Sequence, residues 1–197
     1  MAVNIFCIGV MGGKPGRGIL ADHLQQYVEQ QQIDLVVCNA ENAAGGSGLT
    51  PQIFTKLLHY GVDVVTLGDH ALRRREVAAS LTSERLIRPA NLSPQAAGSG
   101  WTVVPTKSGA ARVGVACLLG QMYMGSVPTS DSPWKVVDEL LAEMPDDVRI
   151  RVVDFHAEAS SEKVAMGWHL NGRASVVFGT HTHIPTADAR VLDGGTA

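Results

Sequence analysis

Four short segments of the chain carry His, Asp, Glu or Asn where metal chemistry would use them. Glu41 and Asn42 follow the apolar run Asp34–Cys38, and Asp69 and His70 follow Val62–Leu67. His156 and Glu158 follow Ile150–Phe155, and His181 and His183 follow Ser175–Gly179. Carboxylate and imidazole groups ligate Mn, Fe, Zn or Mg, and a two-metal site also needs a bridging carboxylate or amide oxygen. The most specific unit is Gly179-Thr180-His181-Thr182-His183. In an extended segment, residues two apart point the same way, so both imidazoles would face one site. Gly179 lets the backbone approach closely. A His-x-His pair alone is a moderate signal, and the upstream Asp69-His70 pair and His156 make it more specific.

Each of these residues also has an ordinary reading. A lone His after a strand is more often a hydrogen bonder than a ligand, so His156 is read as a ligand only in company with His181 and His183. His23, His59 and His169 fall within predicted helices and are read as ordinary helix residues. Glu158 and Glu162 are read as a charge pair at a helix start, on a solvated face. Arg73, Arg74 and Arg75 read as a solvated helix start, with phosphate binding by one of them as the alternative. Cys7, Cys38 and Cys117 each sit in an apolar run. Their odd number and setting predict buried, reduced thiols in a cytoplasmic protein.

The elements that must position these residues alternate in type. Strands are predicted at Val3–Ile8, Asp34–Cys38 and Val62–Leu67, with helices over Gly18–Gln31 and Pro51–Tyr60 between them. Pro51 suits the first helical position, and Gly61 a helix end. A Gly/Pro loop, Gly12 to Gly16, precedes the first helix. This βαβαβ rhythm predicts an α/β fold with a largely parallel sheet, whose sites form at the carboxyl ends of strands. Farther on, Leu86–Gly100 reads as a loop, and Trp101–Pro105 and Arg112–Leu118 read as a hairpin turning at Ser108-Gly109. Gly120–Pro133 reads as a loop, Trp134–Met144 as a helix, Ile150–Phe155 as a strand, Ser161–Leu170 as a helix and Ser175–Gly179 as a strand. Ala189–Leu192 is a last strand candidate, followed by the turn signal Asp193-Gly194-Gly195. That turn comes just before Ala197, which predicts a single domain over residues 1–197 lacking its C-terminal end.

Bulk properties narrow the function classes. The chain has 197 residues, 45% of them hydrophobic, enough for a packed α/β core. No apolar run approaches the roughly 20 residues of a membrane helix. A net charge of −3 gives no general attraction to nucleic acid or anionic membranes. A homo-oligomer is compatible with all of this.

Several of these segments together resemble a known family. They are Asn39-Ala40-Glu41-Asn42-Ala43-Ala44-Gly45-Gly46-Ser47-Gly48-Leu49-Thr50, Gly68-Asp69-His70, Arg88-Pro89-Ala90-Asn91, Asp154 to Lys163, and Gly179 to His183. In order and in length they resemble the bacterial calcineurin-like metallophosphoesterases of the YmdB type. The resemblance implies a layered α/β/β/α sandwich and a dinuclear centre of divalent or trivalent ions, Fe or Mn first, Zn or Mg as alternatives. It implies hydrolysis of a small phosphodiester or nucleotide, such as 2′,3′-cAMP. By position, Glu41 would bridge the metals, Asp69, His156 and His181 would hold one, and His183 would hold the other, with Asn42 in the same cluster. His70 would serve the leaving oxygen as an acid. Two departures stand out. The family's first motif resembles IGDxxGxPGR, and Val10 stands where its ligand Asp belongs. The family has Gly-Asn-His where this chain has Gly68-Asp69-His70. The family also continues beyond the Gly-Thr-Ala at which this sequence stops. Val10 keeps a second reading open, a catalytically weakened homologue that binds metal or nucleotide and acts through a partner. A metal-dependent amidase would fit the ligand types but not the motifs.

Overall fold

The computed structural model describes residues 2–125 and 131–197. Two four-stranded sheets stack face to face. The first contains β1 (Ile5–Ile8), β2 (Leu35–Asn39), β3 (Val64–Thr66) and β4 (Leu86–Ile87), all parallel and in that order. The second contains β5 (Trp101–Pro105), β6 (Arg112–Leu119), β7 (Ile150–Ala157) and β8 (Val176–His181). There β5 pairs antiparallel with β6, and β6, β7 and β8 run parallel. Helices α1 (Gly13–Gln30) and α2 (Pro51–Tyr60) connect strands of the first sheet. Helices α3 (Pro133–Glu143) and α4 (Ser160–His169) connect strands of the second.

Side-chain alternation along the strands creates three apolar layers. On β2, Val36 and Cys38 pack with Leu20, Leu24, Phe54 and Leu57 of α1 and α2. Leu35 and Val37 face the other way and meet Val113, Val115, Cys117 and Val152 of the second sheet. Ala116, Leu118, Val153 and Phe155 pack against Val137, Leu140 and Met166 of α3 and α4. The molecule is therefore an α/β/β/α sandwich. Sheets covered on both faces explain why their strands read as continuous apolar runs in sequence.

Local signals set most boundaries. The Thr50 hydroxyl accepts from the Ile53 N–H at 3.3 Å, Pro51 opens α2, and Gly61 ends it at φ 106°. The predicted Gly12–Gly16 loop is largely the first turn of α1, which begins at Gly13. Pro15 is tolerated there because first-turn N–H groups have no helical partner. Within the predicted loop after Leu86, the pair Leu86–Ile87 adds a short strand beside β3.

Ala189–Leu192 is not a strand, and its residues are largely exposed. The edge of β8 is used by the chain end instead: Val177 N–H donates to Ala197 O at 2.8 Å, and Ala197 N–H to Ser175 O at 3.0 Å. The predicted turn does form, with Gly195 N–H donating to Leu192 O at 2.8 Å. Part of the predicted Gly120–Pro133 loop, residues 126–130, lies outside the described residues. Cys38 and Cys117 are buried, Cys7 is half-buried, and all three thiols are free. Burial pushes the Cys7 and Cys38 thiols up to about 12. Among the described residues, no helix is long and apolar enough to cross a membrane.

Candidate metal centre

The carboxyl ends of β2, β3, β7 and β8 meet at one edge of the sandwich. Asn39 ends β2, and Glu41 and Asn42 follow it in a loop held by two arginines. Arg74 donates to Ser47 O and Ala44 O, both at 3.1 Å, and Arg17 donates to Ala43 O. The basic run therefore supplies a loop clamp through Arg74. Asp69 and His70 follow β3, His156 lies within β7 and His181 is the last residue of β8.

Four donor atoms converge here. His156 Nε2 lies 3.0 Å from Asp69 Oδ1 and 3.1 Å from Glu41 Oε1. His181 Nδ1 lies 3.0 Å from His156 Nε2 and 3.3 Å from Asp69 Oδ1. All four residues offer ligand atoms within 4.8 Å of one another. The spacing suits an ion, because ligand atoms at right angles and about 2.1 Å from a metal are about 3.0 Å apart. Gly68 keeps the spot open: a Cβ there would collide with Glu41 Oε2 and His156 Nε2. Two carboxylates and two imidazoles in a largely buried place fit a divalent cation by chemistry as well as by spacing.

Electrostatics point the same way. His156 is fully buried and Glu41 is 1% exposed. Burial alone would depress the His156 ring, but hydrogen bonds to Asp69 and Glu41 overcome it and raise its pKa to about 9. Burial would raise Asp69, and hydrogen bonds with His156 and His181 instead hold it well below the usual carboxylate range. In the metal-free protein a protonated His156 thus balances the carboxylates, and a cation would replace that proton.

The remaining predicted residues form a second, looser group. The Asn42 side-chain amide lies 2.9 Å from His183 Nε2 and donates to Glu41 Oε1 at 3.2 Å. His70 Nδ1 lies 3.3 Å from Asn42 Oδ1, and its Nε2 3.5 Å from Asp69 Oδ2. The expectation of two extended histidines side by side does not hold. His181 and His183 adopt φ 89° and φ 55°, so the chain bends sharply between them. His181 joins the four-atom cluster, whereas His183 reaches Asn42. Non-glycine residues with such φ values are uncommon, and strain of this kind gathers at functional sites. Val10 lies just past the end of β1; its neighbour Met11 donates its N–H to Asn39 O at 2.9 Å, which places Val10 beside the Glu41 loop.

Glu158 and Glu162 are not a solvated charge pair. Glu158 Oε2 lies 3.1 Å from His181 Nε2. Glu162 is buried, and its carboxylate accepts the backbone N–H groups of Gln121 and Met122. Asp154, Thr180, Thr66 and Asn39 also surround the site, and sequence reading gave them no separate role. Their signal was a polar residue inside an otherwise apolar strand, as in Val152-Val153-Asp154-Phe155.

The chain resembles known proteins over nearly its whole length. A family model described as YmdB-like protein matches residues 6–197. The chain is 38% identical over 196 residues to a Bacillus subtilis (strain 168) protein named 2′,3′-cyclic-nucleotide 2′-phosphodiesterase, covering 99% of this chain and 72% of the relative. Its structure resembles that of a hypothetical protein from Thermus thermophilus with a TM-score of 0.89 at 38% identity, covering 98% of this chain and 73% of the other. A crystal structure described as a novel phosphatase from Mycoplasma pneumoniae matches with a TM-score of 0.90 at 33% identity, covering 100% and 70%.

Proposed function

The chain belongs to the YmdB-like protein family, and from that premise we propose that it is a metal-dependent phosphodiester hydrolase acting on small substrates, 2′,3′-cyclic nucleotides first among them. The observation that carries the proposal is the convergence of Glu41, Asp69, His156 and His181 on one point, with His70 and His183 beside it. The Bacillus relative's name supplies the substrate class.

In this reading Glu41, Asp69, His156 and His181 hold one ion. Glu41, Asn42 and His183 hold a second, with Mn or Fe favoured and Zn or Mg as alternatives. Bound metal supplies Lewis acidity, charge neutralisation on the phosphoryl oxygens and a lowered pKa for the attacking water. The protein does the rest. Glu41 and Asp69 fix the negative charge that draws cations to this edge. His181 is held from behind by Glu158, at 3.1 Å. His70 is partly exposed beside Asp69, where its ring is placed to serve the leaving oxygen as a hydrogen-bond donor as the P–O bond breaks.

Hydrolysis of bis-p-nitrophenyl phosphate and of 2′,3′-cAMP, with added Mn²⁺ and after chelation, tests the proposal. Chelator-sensitive opening of the cyclic phosphodiester is expected. Metal binding without turnover of either substrate would instead support the second reading, a weakened homologue, which Val10 favours because an apolar side chain stands where the family motif has a ligand Asp.

A further inference from the structure

One buried carboxylate touches every strand that carries a ligand of the four-atom cluster. Asp154 lies on the inner face of β7, between the sheets, and is fully buried. It accepts three hydrogen bonds, each from a different strand. Asn39 Nδ2 of β2 donates at 2.8 Å and Thr66 Oγ1 of β3 at 2.5 Å, both to Oδ2. Thr180 Oγ1 of β8 donates to Oδ1 at 2.6 Å. Each of these residues shortly precedes a cluster residue in sequence: Asn39 precedes Glu41, Thr66 precedes Asp69, Asp154 precedes His156 and Thr180 precedes His181.

Two of these links run directly on to the cluster. The Thr180 hydroxyl has one proton and donates it to Asp154, so toward His156 Nδ1, 2.8 Å away, it can only accept. Nδ1 must therefore carry a proton, and the lone pair of the neutral ring is left on Nε2, the atom that faces Asp69 and Glu41. Asn39 donates to Asp154 through Nδ2, and its Oδ1 accepts the Glu41 N–H at 3.3 Å. This fixes the backbone of the second residue.

We infer that Asp154 is the positioning residue of the centre: it sets the register of the four strand ends and, through Thr180, the ring orientation and tautomer with which His156 meets a metal. The inference rests on the proposed metal-binding function. Packing alone does not account for the arrangement. An apolar residue would fill the same place in a layer otherwise made of Leu35, Val37, Val64, Val115 and Val152, and a buried carboxylate carries a desolvation cost that such a residue avoids.

The test is Mn²⁺ affinity and stoichiometry of the whole chain, measured by calorimetry for wild type, Asp154→Asn, Thr180→Val and Thr180→Ser, with folding checked by circular dichroism. Outer-shell partners of metal ligands are typically worth about 10–100-fold in affinity. Thr180→Val keeps the shape and loses the hydroxyl, so it and Asp154→Asn should weaken Mn²⁺ binding by that factor, while Thr180→Ser stays within about twofold of wild type. For Thr180→Val, saturating Mn²⁺ should restore most of kcat. If Asp154→Asn does not fold, Thr180→Val against Thr180→Ser decides alone. Wild-type affinity in a folded Thr180→Val, or equal losses in Thr180→Val and Thr180→Ser, overturns the inference. A wild type that binds Mn²⁺ but hydrolyses no phosphodiester overturns the proposed function instead, and the affinity series still stands.

Discussion

The two groups of side chains at the strand ends are built by different means. Glu41, Asp69, His156 and His181 stand on or next to strand termini, and a buried polar network backs two of them from below. Asn42 and His183 touch each other; Asn42 is buried and tied to Glu41 and His70, whereas His183 is exposed. The first group has two carboxylates, whereas Asn42 and His183 add none. Across the site, the residues nearest the sheets are the most constrained and the most charged. Cation affinity should follow that gradient, with a tight position over His156 and a weaker one toward His183.

The largest effect should come from the centre of the tight group. His156→Ala removes a ligand and leaves two carboxylates without their buried partner. Mn²⁺ affinity should fall by roughly 100-fold or more, beyond the range for outer-shell residues, as read by metal content after gel filtration. Retention of a full metal complement would break the comparison. His70→Ala should spare metal content and lower kcat by about 10²–10⁴-fold, the usual worth of a general acid. Loss of metal from that variant would move His70 into the ligand set. His183→Ala should lose only the weaker ion, leaving about one Mn²⁺ bound per chain at low free metal. Val10→Asp should do the reverse and tighten the second position, both read by stoichiometry.

Acidity gives a graded test. His156 is protonated in the metal-free protein below about 9 and must lose that proton to bind a cation. Affinity should therefore fall by up to about tenfold per pH unit below that value, with proton release measurable by calorimetry in buffers of different ionisation enthalpy. The sign for folding is opposite. A pKa raised in the folded state stabilises the metal-free protein below the unfolded value of about 6.5. That stabilisation is lost as pH rises through about 9, so the apoprotein melting temperature should drop over this window while metal affinity improves. The smallest effect is expected for Glu158→Gln, a few-fold change in Mn²⁺ affinity, since its carboxylate is half exposed against His181 and water screens it.

Much of the fold was legible because its signals are local. Pro51 and Gly61 bracket α2, and the predicted range Pro51–Tyr60 matches the observed one. Turn residues between apolar runs likewise placed β5 at its observed limits, Trp101–Pro105. Failures occurred where a partner decides. Ala189–Leu192 has strand-like composition, but the edge of β8 is taken by Ala197. Leu86–Ile87 has too few residues to read as a strand, yet β3 offers it an edge. Glu162 looked like a surface charge because nothing nearby in sequence announces the two backbone N–H groups it accepts.

By itself the sequence determined which chemistry was on offer: imidazoles and carboxylates at the ends of apolar runs, in motifs long enough to resemble one family. Residue type and local spacing are enough for that, since strand ends and turn residues are encoded over a few positions. Only the tertiary structure decided which of those groups share a point in space. His181 and His183 are two residues apart, yet one joins His156 and the other joins Asn42. Asp154 looked like a motif letter until residues of three other strands, from both sheets, closed around it. Such contacts join residues up to 141 positions apart, and they form only when the apolar layers stack and bring the strand ends to a common edge.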